Sequence, residues 1–340
     1  MTLDIVHSLD WRDLTLLHRV RGNGLCFHAQ MAFTRGPNAL QNALLDVITA
    51  GRSAWTLVVR PTDASEPSGV AQCMQHNEDP FARLTFLGPS EILGTSSGQR
   101  LLEGLARAAG ERGAHNLIAE VDEQSPAFEC LRHAGFGIYS RQRIWRLGAP
   151  GNGAAPSAPL PSAASRAVQG TFSSLWRNEA ASDQLPIQNL LMNLVPVLVH
   201  QVEPASTQGG RGYVYWAEKE LLGYLDVDRG PLGIWLQPFF HPAVENLDEL
   251  LPAILSLLDG KRDRPFFICV RSYQSWLSTP LEGLGFEPCL DQAVMVKRLA
   301  VPIRQPAVAP VPSLEGARAK PTAPVAHLEN SAPTNRIRGR

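Results

Sequence analysis

Residues 94 to 98 read Gly94-Thr95-Ser96-Ser97-Gly98, and a helical pattern follows directly. At the start of a helix the backbone N–H groups have no partner within the helix. Small side chains leave them open, and together with the helix dipole they favour an anion. The loop therefore has the composition of an anion cradle. The competing reading is an ordinary Ser-capped helix start behind a flexible loop. Carboxylates flank it: Glu91 lies ahead of the loop, and Glu120 and Asp122 lie on a strand pattern centred on Ile118 and Ala119. A carboxylate inside an apolar strand is desolvated, which raises its pKa and suits it to take a proton near neutral pH. At the strand end the same group would face solvent. His28 and His76 are further candidate bases, each a lone His in the sequence pattern.

The elements that must hold these residues are legible from periodicity. In the first half, helices are predicted around Asp10–Val20 and Ala39–Ala50, with strands at Trp55–Arg60, Val70–His76 and Ala82–Leu87. A helix over Gly98–Glu111 carries Leu101, Leu102, Leu105, Ala108 and Ala109 on one face. A strand follows at His115–Asp122. Next comes a helix opened by Ser125-Pro126 and closed by Gly135, then a last pair of strands over Phe136–Leu147. The second half repeats the train. Strands are predicted at Tyr213–Ala217, Leu221–Val227, Gly233–Pro238 and Pro265–Arg271, helices at Leu247–Leu258 and Gln274–Gly285, and closing strands at Phe286–Leu299.

The repeat is also written in residues. Ser125, Leu131, Gly135-Phe136 and Gln142 recur as Ser275, Leu281, Gly285-Phe286 and Gln292. In the same register Leu84 and Phe86 fall on Ile234 and Leu236, Leu101, Leu105 and Gly110 on Leu251, Leu255 and Gly260, and Ile118 on Ile268. Two copies of one α+β domain are expected, each a mixed, mostly antiparallel sheet covered by helices. They span 1–147 and 168–300. The uncharged Gly/Pro/Ala/Ser segment 148–167 reads as a flexible linker, and the Pro-rich stretch 301–340 as a disordered tail.

With 340 residues, 44% hydrophobic and 19% charged, the composition is globular, and a net charge of −1 gives no general pull toward nucleic acid or anionic membrane. The three arginines that end the tail supply only a few phosphate contacts. Five scattered cysteines without a CxxC pair argue against a disulfide framework or a zinc site and fit a reducing cytoplasm. Met1–Asp13 is mixed and charged, unlike a signal peptide, and no apolar run reaches membrane-helix length.

The order of elements, the run Gly98-Gln99-Arg100-Leu101-Leu102-Glu103-Gly104-Leu105, and the stretch from Ser125-Pro126-Ala127-Phe128 to Ala134-Gly135-Phe136 resemble the GCN5-related N-acetyltransferase (GNAT) superfamily, here in tandem. The resemblance implies acetyl-CoA as co-substrate and a small-molecule or peptide amine as acceptor. It places the pyrophosphate at Gly94, Thr95, Ser96, Ser97, Gly98, Gln99 and Arg100, and an oxyanion-steadying amide near Leu87. Glu120 and Glu91 are the implied carboxylates for deprotonating the amine. The loop departs from the family pattern: Leu93 and Ser96 stand where an Arg or Gln and a Gly are usual. The second copy reads Pro242-Ala243-Val244-Glu245-Asn246-Leu247-Asp248 there, without glycine and with carboxylates that repel a phosphate. At the family's Tyr position stand Leu131 and Leu281, which transfer no proton; Tyr139 and Tyr273 read as packing aromatics. Two functions follow: an N-acyltransferase whose first copy binds acetyl-CoA while the second is structural, or a non-catalytic tandem protein for binding or assembly.

Overall fold

The structure is a computed structural model that describes residues 5–36, 54–61, 63, 65–76, 79–148, 176–204, 212–258 and 264–300. The helix expected near Ala39–Ala50, the linker beyond Gly148 and the tail from 301 lie outside these residues.

The first half runs β1 (Ile5–Ser8), a 3-10 turn (Trp11–Asp13), α1 (Leu14–Val20), β2 (Leu25–Cys26), α2 (Ala29–Arg35), β3 (Ala54–Arg60), β4 (Gly69–Met74), β5 (Phe81–Gly88), a 3-10 turn (Ser90–Ile92), α3 (Ser96–Glu111), β6 (Asn116–Val121), α4 (Pro126–His133) and β7 (Gly137–Leu147). The second half runs β8 (Trp176–Asn178), a 3-10 turn (Ala181–Asp183), α5 (Gln184–Leu194), α6 (Val197–Val202), β9 (Tyr213–Ala217), β10 (Glu220–Arg229), β11 (Ile234–Phe240), α7 (Leu247–Leu258), β12 (Phe266–Arg271), a 3-10 turn (Ser272–Leu277), α8 (Ser278–Gly283) and β13 (Glu287–Arg298).

One sheet holds both halves, in the order β1-β3-β4-β5-β6-β13-β7-β12-β11-β10-β9-β8, with β2 beside β5. Only β5/β6 and β11/β12 are parallel among the described pairs. The last strand of each half is exchanged. β13 enters the first half beside β6, and β7 enters the second half beside β12. Each expected closing pair is therefore a single long strand. Each run is paired along its length with two neighbours, and Pro288 in β13 marks only a shift of register against β7.

β7 and β13 also pair with each other, with Gln142 directly opposite Gln292. These are equivalent residues of the repeat, so a pseudo-two-fold axis passes between them. The Gln142 side-chain amide donates to the Gln292 carbonyl oxygen at 2.9 Å, both residues being buried. One step outward, Arg143 grips Asp291 with two hydrogen bonds.

Upstream of Ser125 and Ser275 the repeat slips by one position. The buried face of α3, namely Leu101, Leu102, Leu105, Ala106 and Ala109, corresponds to Leu250, Leu251, Ile254, Leu255 and Leu258 on α7. Likewise Leu117 and Ala119 on β6 share their helix-facing side with Phe266 and Ile268 on β12. Ile118 faces the other side of the sheet, so it is not the counterpart of Ile268. A one-residue shift exchanges the faces of a strand. The extra residue of the second half lies in Ser272–Leu277, where Gln274 leaves helical geometry (φ −120°, ψ 26°).

On one face α3 and α4 cover the first half and α7 and α8 the second, each over its own apolar core. On the opposite face the helices cross over. Ile187, Leu190 and Leu191 of α5 and Val199 and Val202 of α6 pack with Phe81, Ile118, Tyr139 and Val294. Ala29 and Phe33 of α2 pack on Trp235, Phe267 and Cys269 of the second half. Ion pairs fasten both crossings. Arg35 holds Asp228 bidentately at 2.7 Å and 2.7 Å, and Gln30 adds a bond at 3.1 Å. Beyond α6, Glu203 accepts from Arg83 (2.8 Å) and Arg271 (2.7 Å).

Because β13 completes the first sheet, heating the full chain is expected to give one cooperative calorimetric transition. A fragment of residues 1–147 is expected to bind a hydrophobic dye and to lack near-UV dichroism until mixed with residues 168–302. Two independent transitions, or a fragment that folds alone, would contradict this.

Candidate functional site

The loop ahead of α3 is a built helix start. Gly94 takes φ +76°, and Thr95 is the N-cap, its hydroxyl accepting the Gly98 N–H at 3.1 Å and donating to the Ile92 carbonyl at 2.8 Å. The remaining open groups hold a carboxylate. Glu66, from the loop between β3 and β4, accepts the Ser97 N–H at 3.0 Å and the Ser96 hydroxyl at 2.7 Å, and also meets the Ser97 hydroxyl. Hydrogen bonds from Ser97 and Ser96, with Arg100 nearby, keep its pKa below the ordinary glutamate value. The cradle expected from the sequence thus binds an anion, and the anion is part of the chain. Gly98 has a further role: a Cβ there would lie 2.3 Å from the Ile92 carbonyl oxygen.

The next feature is the gap between β5 and β6. They pair only over Phe81–Arg83 and Asn116–Ile118 and then part. The chain itself fills the opening. Leu25 and Cys26 of β2 pair with Leu87 and Phe86. Phe27 donates to the Thr85 carbonyl at 3.1 Å and accepts the Glu120 N–H at 3.0 Å, bridging the two strands. Close packing locks the segment: a Cβ on Gly24 would lie 2.1 Å from the Phe86 ring. Leu87, expected beside a ligand, is buried under this cover.

The two expected carboxylates are not brought together. Glu91 sits on the exposed 3-10 turn and takes the Asn23 side-chain amide at 2.7 Å. Its own N–H and Asn23 lower its pKa. Glu120 is buried, yet it does not stand free as a base: one oxygen accepts the Ala29 N–H at the start of α2 at 2.7 Å, and the other lies 3.6 Å from Arg83. Gln99 bonds Glu103 on the helix surface. Burial, with Arg83 and His76 adding to it, drives the His28 pKa down to about 3, so this imidazole is neutral. Leu131 and Leu281 are core residues. Burial and the Glu203 charge hold Tyr139 well above the usual tyrosine pKa, which makes it a poor proton donor. Sequence reading missed the seam formed by Arg83, Glu120, Glu203 and Arg271, since its members come from both halves and share no motif.

The second half closes its gap differently. The Gln274 side chain, 3% exposed, accepts the Phe240 N–H at 3.2 Å and donates to the Pro238 carbonyl at 3.1 Å. A small apolar cavity lies between Leu236, Phe240, Leu251, Ile254 and Ile268. Asp248 and Glu249 occupy the first turn of α7. Among the described residues no three His, Cys, Asp or Glu side chains gather as a metal would need, and no helix is long and apolar enough to cross a membrane.

Strands that part beside a helix N-terminus, twice in one chain, define a type of fold, and solved structures share it. A GCN5-related N-acetyltransferase from Sphaerobacter thermophilus matches with TM-score 0.51 at 11% identity over 87% of this chain and 95% of that one. A tandem GNAT protein from the clavulanic acid biosynthesis pathway matches with TM-score 0.48 at 15% identity over 87% and 98%. A GCN5-related N-acetyltransferase from Kribbella flavida gives 0.41 at 15% over 87% and 71%. No family model and no curated protein matches the sequence. The chain thus has the GNAT fold, in two halves.

Two outcomes are expected from the packing described. Gly98→Ala forces its Cβ against the Ile92 carbonyl and is expected to cost about 1–3 kcal/mol in urea unfolding. His28 has a depressed folded pKa, so between its unfolded value near 6.5 and about 3 the unfolded chain binds more protons. Its contribution is complete above that window and is lost as pH falls, with a slope of up to roughly 1.4 kcal/mol per pH unit. His28→Asn is expected to flatten the stability–pH curve there, and an unchanged slope would refute the assignment.

Proposed function

We propose that the chain is an acyl-CoA-dependent N-acyltransferase whose acyl-CoA site belongs to the first half, with the second half structural. The observation that carries this reading is the grip on Glu66. A backbone amide and two hydroxyls at the start of α3 hold a carboxylate where the fold's pyrophosphate end would be sought. Gly94, Thr95, Ser96, Ser97 and Gly98 would hold the phosphates, with Gln99 and Arg100 at the rim. The strand face of β5 around Leu87 would take the pantetheine arm. The fit is incomplete as the chain stands, because Leu25–Phe27 occupies that face.

When bound, acyl-CoA supplies the acyl group as a thioester, and the acceptor would be a small-molecule or peptide amine. The contribution of this chain is chiefly positioning, which is worth several kcal/mol in well-oriented reactions. Glu120 and Glu91 stay the proposed proton acceptors. Glu120 would have to loosen its bond to the Ala29 amide to serve.

A second reading is favoured by a separate observation: both strand gaps are filled by the chain's own groups, Leu25–Phe27 in one half and Gln274 in the other. It makes the protein a non-catalytic binding or assembly module. Calorimetry of the full chain with acetyl-CoA separates the two. Binding that Ser96→Glu abolishes, with thiol release in the presence of amines, is the expected result. Absence of binding at high micromolar acetyl-CoA, by the full chain and by its Glu66→Ala variant alike, would leave the second reading.

A further inference from the structure

The first half places two groups of its own where a bound CoA would lie, one at the start of α3 and one at the gap between β5 and β6. Glu66 presents a carboxylate to the α3 amide and hydroxyls. Leu25–Phe27 adds a short strand to β5 and bridges to β6 through Phe27. The two are independent: one comes from the β3–β4 loop and the other from the segment between α1 and α2. They engage the groove by different chemistry, charge in the first case and main-chain hydrogen bonding in the second. Both contacts are specific. The Glu66 turn is itself set by a bond from its N–H to the Asp63 carbonyl at 3.2 Å, which aims the side chain at the helix. The segment ahead of Phe27 is anchored by the Ser90 N–H donating to the Asn23 carbonyl at 2.7 Å.

We propose that the first half is self-occluded: Glu66 and Leu25–Phe27 are internal competitors that must leave before an acyl-CoA enters. This rests on the acyltransferase reading and adds a regulatory layer to it. Removing Glu66 frees an amide and two hydroxyls without touching the core, because its side chain lies at the surface. Displacing Leu25–Phe27 breaks the Phe27 bonds to Thr85 and Glu120.

The test uses the full chain and two probes. Inorganic pyrophosphate needs only the helix end, whereas acetyl-CoA needs both. By calorimetry Glu66→Ala is expected to bind pyrophosphate roughly tenfold more tightly than the unmodified protein, as expected when a charged hydrogen-bonding competitor is removed. Acetyl-CoA is expected to follow the same order. In hydrogen exchange, the Phe27 and Glu120 amides are expected to lose protection when acetyl-CoA binds. Equal affinity of the two proteins for both probes overturns the inference and leaves the acyltransferase reading standing. Retained Phe27 protection in an acetyl-CoA complex overturns the part assigned to Leu25–Phe27. If neither protein binds either probe, this inference and the acyltransferase reading both fall. Thermal melts of Glu66→Ala confirm that the comparison is between folded proteins.

Discussion

Gln142 and Gln292 meet side chain to side chain at the centre of the sheet, and the architecture is arranged around that contact. The two residues are equivalents in the repeat, and their strands run antiparallel, so whatever one half does at this line the other does in reverse. Each amide is buried, and leaving either unpaired would carry a desolvation cost of about 1–3 kcal/mol. The pair therefore fixes the register of β7 on β13. That register in turn sets where β13 meets β6 and where β7 meets β12. The crossed helices and the Arg35–Asp228 and Arg83–Glu203 clamps depend on the same alignment, since each joins a helix region of one half to the sheet of the other.

The halves share a frame but not a cleft. In both, the parallel strands part beside a helix N-terminus, leaving backbone donors and acceptors that must find partners. The first half satisfies them with main chain, through Phe27, and offers its helix end to Glu66. In the second, one side chain, Gln274, takes the Phe240 N–H and the Pro238 carbonyl of β11, and Asp248 and Glu249 lie in the first turn of the helix. The single residue by which the repeat slips lies next to Gln274, so the insertion and the second closure belong to one local change.

Elements with strong periodicity were legible. Tyr213–Ala217 and Leu247–Leu258 match the structure at both ends, and α3 begins two residues before the predicted start. The Ser125-Pro126 and Gly135 signals mark α4 correctly, although Ser125 directs its hydroxyl to the Asp122 carbonyl and not into the helix. The helices of the second half, α5 and α6, went unseen because Gln184–Leu194 has no charged residue, contains Pro186, and exposes Leu185 and Met192 among its polar positions, which blurs its apolar stripe. Strand exchange was invisible for a different reason. A strand's sequence records which faces are buried and says nothing of which neighbour lies beside it. The candidate loop was read as an anion site from its small residues and helix context. Its occupant, Glu66, lies in a separate loop and had no local signal. Glu120 was singled out for burial within an apolar strand, and it is buried. Its commitment to the Ala29 amide is a long-range contact that no spacing encodes.

The exchange of β7 and β13 has a bearing on concentration. Two separate copies of such a domain could trade closing strands only by dimerising, and a dimer comes apart on dilution. Here the partners are tethered, so the trade is intramolecular and the integrity of the molecule is independent of how much of it is present. A half that no longer handled a ligand would still be retained, because the other half lacks a strand without it.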